Sequence, residues 1–275
     1  MDYDLKQLQR VILVIAKELK RVCDENNIRY TLIGGSLIGA VRHQGFIPWD
    51  DDFDVVMPRE DYERFLECCK TKLNPEFSVL NWKTSDSYLM GYSKILLKGT
   101  EAVTELQHNP NYPRELFIDV FPFDTIPDDS KLRNKQEKST YFCKKMLLCK
   151  QNGMKYYKYF KGGKRLGYFI MGIASLFYNS RKLMERYEQE MKKYKGDTLE
   201  YTSITGSYGY SREIIPHHML ENYIELPFED TSFSVMRDYD YYLKMVFGDY
   251  MQLPPKEKRV NHSFLHIDFG KYANL

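Results

Sequence analysis

The run Pro48-Trp49-Asp50-Asp51-Asp52-Phe53-Asp54-Val55-Val56 sets carboxylates two positions apart at the start of an apolar segment. Residues two apart on a strand share a face, so Asp52 and Asp54 point the same way while Phe53, Val55 and Val56 are expected inside. Carboxylates that close resist ionising unless a cation sits between them. Asp50 joins the same face if the strand starts early, whereas Asp51 is expected to face away. About fifteen residues upstream an apolar run ends in Gly34-Gly35-Ser36 and turns helical. Backbone N–H groups at such a helix start suit a phosphate. Hard oxygen ligands beside a phosphate-binding turn imply magnesium, with manganese as the alternative, and a nucleotide. Each element alone has an ordinary reading, a plain turn or a solvated strand end. Their order and spacing join them.

Other residues could complete such a site. Asp119 lies between Ile118 and Val120, where a charge is costly to bury without a cation or donor. A buried salt bridge is the competing explanation. Gly34, Gly35 and Ser36 are the expected phosphate contacts. Arg42, on the helix that follows, carries the planar fork that grips phosphate at two points, although an ordinary surface arginine would look the same. Lys94 alternates with apolar neighbours and is a second phosphate candidate. Trp49 comes first, and Trp82 second, as an aromatic face for a quaternary ammonium. His262 could touch donor or acceptor, or be structural.

The chain resembles a known family at these residues. Gly-Gly-Ser, a spacer, then Asp-hydrophobic-Asp-hydrophobic is similar to the signature of the nucleotidyltransferase superfamily. The fuller run from Gly39 to Asp54, GAVRHQGFIPWDDDFD, resembles LicD phosphotransferases, a group that includes fukutin and fukutin-related protein. Leu116 to Asp124, Leu226 to Glu229, Phe247 to Tyr250 and Leu253 to His262 carry the likeness onward. The resemblance implies a metal site of Asp50, Asp52, Asp54 and Asp119, with Asp119 taking the acceptor proton. It also implies transfer of phosphocholine from CDP-choline to a bacterial surface glycan such as a teichoic acid, lipopolysaccharide or capsule precursor. Ribitol phosphate or glycerol phosphate are the alternative transferred groups. A metal-dependent glycosyltransferase and a non-catalytic membrane adaptor are the rival readings, the first weakened by Gly-Gly-Ser upstream and Asp119 downstream.

The elements that must position these residues read as an α+β fold, a mixed sheet core flanked by helices, nucleotidyltransferase-like by resemblance. Leu5, Leu8, Val11, Ile12, Ile15, Leu19 and Val22 recur at helical spacing. Strands are expected over 30–33, 53–57, 77–82, 92–97, 103–106 and 116–121, helices over 37–43 and 60–73, and a hairpin over 223–236. A helix from Tyr239 should end at Gly248, before an extended basic tail. The expected divisions are a catalytic core (1–127), a helix-rich basic subdomain (128–198) and a C-terminal part packing back on the core (199–275).

At 275 residues with a formal net charge of +2, the chain carries no global signal for nucleic acid. Between Lys131 and Arg165, however, twelve Lys or Arg stand against one acid, Glu137. That bias suggests an anionic partner, a membrane surface or lipid-linked phosphate, as against a solvated helix face. The apolar segment 166–178 that follows is too short to span a bilayer. Such a segment is usually a buried core helix; beside a basic block it is also readable as an interfacial one. Five cysteines without a CxxC pair, and no signal-peptide pattern, point to the cytoplasm. The basic block adds peripheral contact at the inner face of the plasma membrane, and together with the resemblance it implies a lipid-linked glycan as acceptor.

Overall fold

The computed structural model describes residues 3–104, 111–195, 199–206, 208–259, 261 and 264–275. Helix α1 (Leu5–Glu25) starts where the Asp4 carboxylate accepts from the Lys6 N–H at 2.9 Å. Its stripe of Leu8, Val11, Ile12, Ile15, Leu19 and Val22 is fully buried. It packs, together with α3 (Arg59–Lys72), against the central sheet. The fold is α+β, as the alternation of helical and strand patterns implied.

The central path of the sheet runs β1 (Thr31–Leu32), β2 (Asp54–Pro58), β6 (Leu116–Ile126), β4 (Ser93–Leu97), β3 (Phe77–Leu80). Neighbours are antiparallel except β2 and β6, which run parallel. Strand β6 is longer than its hydrophobic run suggested, because its far half pairs with β7 (Glu200–Thr202), which in turn pairs with β8 (Ile215–Pro216). The hairpin β9 (Tyr223–Phe228) and β10 (Thr231–Met236) forms as its alternation indicates. Helix α7 (Tyr239–Phe247) stops at Gly248, whose φ is +69°. The expected extended tail instead makes a short 3-10 turn at 256–258 and a strand β11 (His266–Asp268) paired with β5 (Glu101–Val103). The strand expected over 103–106 reaches past β5 into residues outside those described.

The segment between α2 (Gly34–His43) and β2 is a folded loop. Gln44 adopts a φ of +53°, and the chain doubles back so that the Gly45 N–H reaches the Gly39 carbonyl at 3.4 Å. A Cβ on Gly39 would run into the Gly45 carbonyl, and one on Gly45 into the Glu229 side chain. Glu229 accepts from the Phe46 N–H at 3.0 Å, while its own N–H donates to Gln44 O at 2.7 Å. From α1, the Gln9 amide donates to the carbonyls of Ile47 and Asp50 at 3.1 and 2.9 Å. Below the loop the rings of Phe46, Phe53, Phe228 and Phe233 meet edge-on or tilted, with Phe53 fully buried.

A second apolar cluster joins α4 (Ser130–Asn152) and α6 (Ser180–Met191) through Cys143, Met146, Leu147, Leu183, Met184 and Tyr187. Helix α5 (Gly162–Ser175) lies over α4. The usual reading of 166–178 as a core helix is corrected here. Only Gly172 and Ser175 of α5 are buried, and Leu166, Phe169, Ile170 and Ile173 face outward. The segment is apolar on both sides, and α4 and α6 already bury each other.

The loop geometry carries a testable consequence. Gly39→Ala forces backbone apart where no flexible side chain can yield, so urea unfolding should show a loss of about 1–3 kcal/mol. Gly163→Ala, whose Cβ meets open space, should leave the midpoint unchanged or slightly raised. Equal effects of the two substitutions would refute the tight approach.

Candidate active site

Parallel pairing places Asp54 of β2 opposite Asp119 of β6, and antiparallel pairing places Asp119 opposite Lys94 of β4. The three side chains therefore form a row across adjacent strands, spaced by about 4.8 Å. Lys94 Nζ donates to Asp119 Oδ1 at 2.6 Å, and both residues are largely buried. Burial holds the Asp54 carboxyl well above the ordinary range, and Asp52, Asp119 and Asp50 raise it further while Lys94 opposes them. All four carboxylates thus share one field with one ammonium.

The turn that opens α2 meets this row. Gly34 takes a φ of +57°, a conformation that favours glycine. A Cβ there would lie 3.7 Å from Asp54 Oδ2, and one on Gly35 would collide with the Asp50 carboxylate. The Ser36 hydroxyl accepts from the Asp54 N–H at 2.8 Å. The glycine turn and the acidic strand are therefore locked to each other, and the positive end of α2 points at the carboxylates.

A cavity of about 280 Å3 adjoins the row, lined by Asp51, Asp52, Lys94 and Asp119 and by the rings of Tyr92, Tyr112, Phe117, Tyr156 and Phe264. Lys94 Nζ lies 3.3 Å from the Phe117 ring centroid and 5.6 Å from that of Tyr92. A cation already sits on aromatic faces here. The sequence reading missed these rings, although the signal was present. Phe117 and Asp119 are two apart on β6, and Tyr92, just ahead of β4, is two residues from Lys94, so each polar residue has an aromatic neighbour at strand spacing. Asp51, expected to face away, lines the same cavity because the extended segment before β2 departs from strand geometry.

Two other candidates are engaged within the chain. Arg42 donates to the carbonyls of Tyr250 and Gln252 and to His43 Nε2, so its fork is engaged by this chain. The Trp49 ring carries the Arg259 guanidinium 4.5 Å from its centroid and the His43 ring against its edge. The face anticipated for a quaternary ammonium is covered by a cation supplied from the C-terminal part. His262 lies outside the described residues.

Glu213 is a buried carboxyl near this region, accepting from Tyr242 Oη at 2.8 Å. Burial pushes it up to about 7. The field of Glu213, with those of Asp54 and Asp52, adds to burial in raising the Tyr208 phenol.

Four clustered carboxylates suit a hard divalent cation by chemistry. Among the described residues no three His, Cys, Asp or Glu side chains converge on one point as they stand, and Lys94 supplies the positive charge beside Asp119. Side-chain rotation within the row would be needed to close a metal shell.

The LicD/FKTN/FKRP nucleotidyltransferase domain family matches residues 27–156, the segment holding the row and the glycine turn. Lipopolysaccharide cholinephosphotransferase LicD of Haemophilus influenzae is 30% identical over 268 residues, covering 94% of this chain and 95% of that protein. An uncharacterized protein of Rickettsia typhi is 38% identical over 69 residues, 25% of this chain and 21% of its own length. Human ribitol 5-phosphate transferase FKRP is 42% identical over 52 residues, 19% of this chain and 10% of that protein.

Two outcomes follow from the charges. Asp54→Asn removes a half-buried, repelled carboxylate, so in chelator it should melt higher than wild type, by a margin that grows as pH rises above the carboxylate range. Turnover should fall by about 10³-fold or more. A variant that is less stable in chelator at every pH would contradict the repulsion. Separately, Glu213 has a folded pKa above its unfolded value of 4.5, so its contribution is intact below that value and lost as pH rises towards 7. Urea titrations should show a decline of about 3 kcal/mol at most across that window, flattened in Glu213→Gln.

Proposed function

This chain belongs to the LicD family, and on that premise we propose that it transfers phosphocholine from CDP-choline to a hydroxyl of a cell-surface glycan, using magnesium. The family makes it a phosphotransferase, and its relatives bear the names of enzymes acting with phosphocholine or ribitol phosphate. The observation that carries the choline reading is the aromatic cavity beside the row, where Tyr112 and Tyr156 add their rings to those of Tyr92 and Phe117, which already face Lys94. A trimethylammonium group needs such faces, and a polyol phosphate would need hydroxyl-pairing groups in their place.

In this reading the N-terminus of α2 at Gly34, Gly35 and Ser36 receives the donor phosphates. Asp50, Asp52, Asp54 and Asp119 would hold magnesium, which when bound neutralises charge on the bridging phosphate oxygens. Asp119 accepts the proton of the acceptor hydroxyl as that oxygen bonds to the outer phosphorus. The bond from that phosphorus to the CMP oxygen breaks, and CMP leaves. Lys94 holds Asp119 in place and adds positive charge beside the reacting phosphate. Positioning and charge neutralisation account for most of the acceleration in such a displacement.

Calorimetric binding of CDP-choline, CDP-ribitol, CDP-glycerol and a UDP-sugar, with magnesium present, tests the donor. CDP-choline should bind best and release CMP in the presence of acceptor. Tyr112→Ala should weaken CDP-choline by roughly thirty-fold, the equivalent of about 2 kcal/mol, and CDP-glycerol far less. Trp49→Ala should affect both donors alike. Tight binding of CDP-ribitol or CDP-glycerol with none of CDP-choline would reassign the transferred group, and a preference for the UDP-sugar would remove the phosphotransfer reading.

A further inference from the structure

Helix α5 and the residues just after it present Leu166, Phe169, Ile170, Ile173, Leu176 and Phe177 on the outside of the molecule, with Phe177 85% and Leu166 61% exposed. The first four, spaced by three and four residues, share one face of the helix, and Leu176 and Phe177 stand exposed in the turn that follows. The opposite side, with Met171, Ala174 and the buried Gly172 and Ser175, packs towards the α4–α6 cluster. An apolar stripe of this extent on a surface marks a site of contact.

Charge identifies what covers it. From Lys138 to Met184 the sequence holds eleven Lys or Arg and no acid. Lys158, Lys161, Lys164 and Arg165 cluster, exposed, around the start of α5, and Arg181 and Lys182 stand exposed beyond its end. A second copy of the chain seated here would bring two such sets of cations together, which like-charge repulsion disfavours. An anionic phospholipid surface meets both features, taking the rings and aliphatic chains into its interface and the cations among its headgroups. At fourteen residues α5 is about 21 Å long, short of a bilayer's hydrocarbon core. No described helix is long and apolar enough to cross a membrane.

We propose that the outer face of α5 with its flanking cations is a peripheral docking surface for anionic phospholipid. The surface adjoins the catalytic cavity. Tyr168 of α5 stacks on Phe160 with ring centroids 3.8 Å apart and meets the Tyr156 ring at 5.4 Å, and Tyr156 lines that cavity. An acceptor carried on a lipid would thereby arrive beside the row of Asp54, Asp119 and Lys94.

Flotation of the full chain with vesicles tests this without reference to the donor. Vesicles of phosphatidylcholine containing phosphatidylglycerol should carry the protein at low salt, release it as salt rises, and bind it far better than phosphatidylcholine alone. Lys161→Glu with Lys164→Glu should weaken partitioning by roughly fivefold or more per cation removed. Phe169→Gln with Phe177→Gln should reduce it at least tenfold, since each ring loses its burial in the interface. All four side chains are exposed, so both variants should keep the wild-type melting temperature and wild-type turnover on a water-soluble glycan acceptor. Failure of the donor reading would leave the flotation result untouched, and failure of docking would leave soluble turnover untouched. The proposal is overturned if wild type floats with neither vesicle or equally with both. It is also overturned if the Phe169/Phe177 variant floats like wild type, or if sedimentation shows a dimer that this variant abolishes.

Discussion

Repulsion among carboxylates is the constraint around which the acidic face of the sheet is arranged. Asp54 is held near Asp50, Asp52 and Asp119, with its carboxyl raised by burial and by all three neighbours. Separated on a flexible chain, these groups would move apart. The sheet forbids it, because β2 and β6 are hydrogen-bonded in a register that sets Asp54 directly across from Asp119. Lys94 on the next strand partly offsets the charge. By its charge the cluster would favour a bound cation, which in the proposed reaction would neutralise a phosphate in transit.

Two devices keep the acidic strand from escaping. From one side the start of α2 is pressed against it, with glycines at 34 and 35 where side chains would meet Asp54 and Asp50 and with Ser36 bonded to the Asp54 backbone. From the other, the loop between α2 and β2 is fixed by Gln9, Glu229 and the phenylalanine cluster around Phe53. Unfavourable charge is thereby set against apolar burial and backbone hydrogen bonds supplied by α1 and the β9–β10 hairpin, elements distant in sequence.

The helix-rich section contributes to the same cavity from its far wall. Tyr156 reaches the cavity, and its ring is held by Tyr168 of α5, which also accepts from Lys145 Nζ at 2.6 Å. A segment whose outer side is apolar and basic is thus joined through two rings to the place where a donor would bind. Aromatic residues serve three purposes in this chain. Phe53 and its neighbours fill the core under the loop, Tyr92 and Phe117 face a cation, and Phe169 and Phe177 stand out at the surface.

Local pattern by itself determined a good deal. The spacing of Leu8, Val11, Ile15 and Leu19 set α1, Gly248 stopped α7, and alternation across 223–236 made a hairpin, because each signal depends on neighbours a few residues away. Gly34-Gly35-Ser36 and Asp52-Phe53-Asp54 were legible as chemistry for the same reason: the residue types and their period decide what faces what. Partnerships between distant segments were not legible in local pattern, and only the family resemblance grouped Asp119 with Asp54. Nothing local says that Asp119 lies beside Asp54, that Lys94 pairs with it, that Arg259 covers Trp49 or that Arg42 caps carbonyls at Tyr250 and Gln252. Nor could the apolar run at 166–178 declare its exposure, since its composition suits a core or an interface equally. Periodicity fixes the face a residue occupies within its own element. Only the packing of elements, chosen by the burial of the whole chain at once, decides what that face meets.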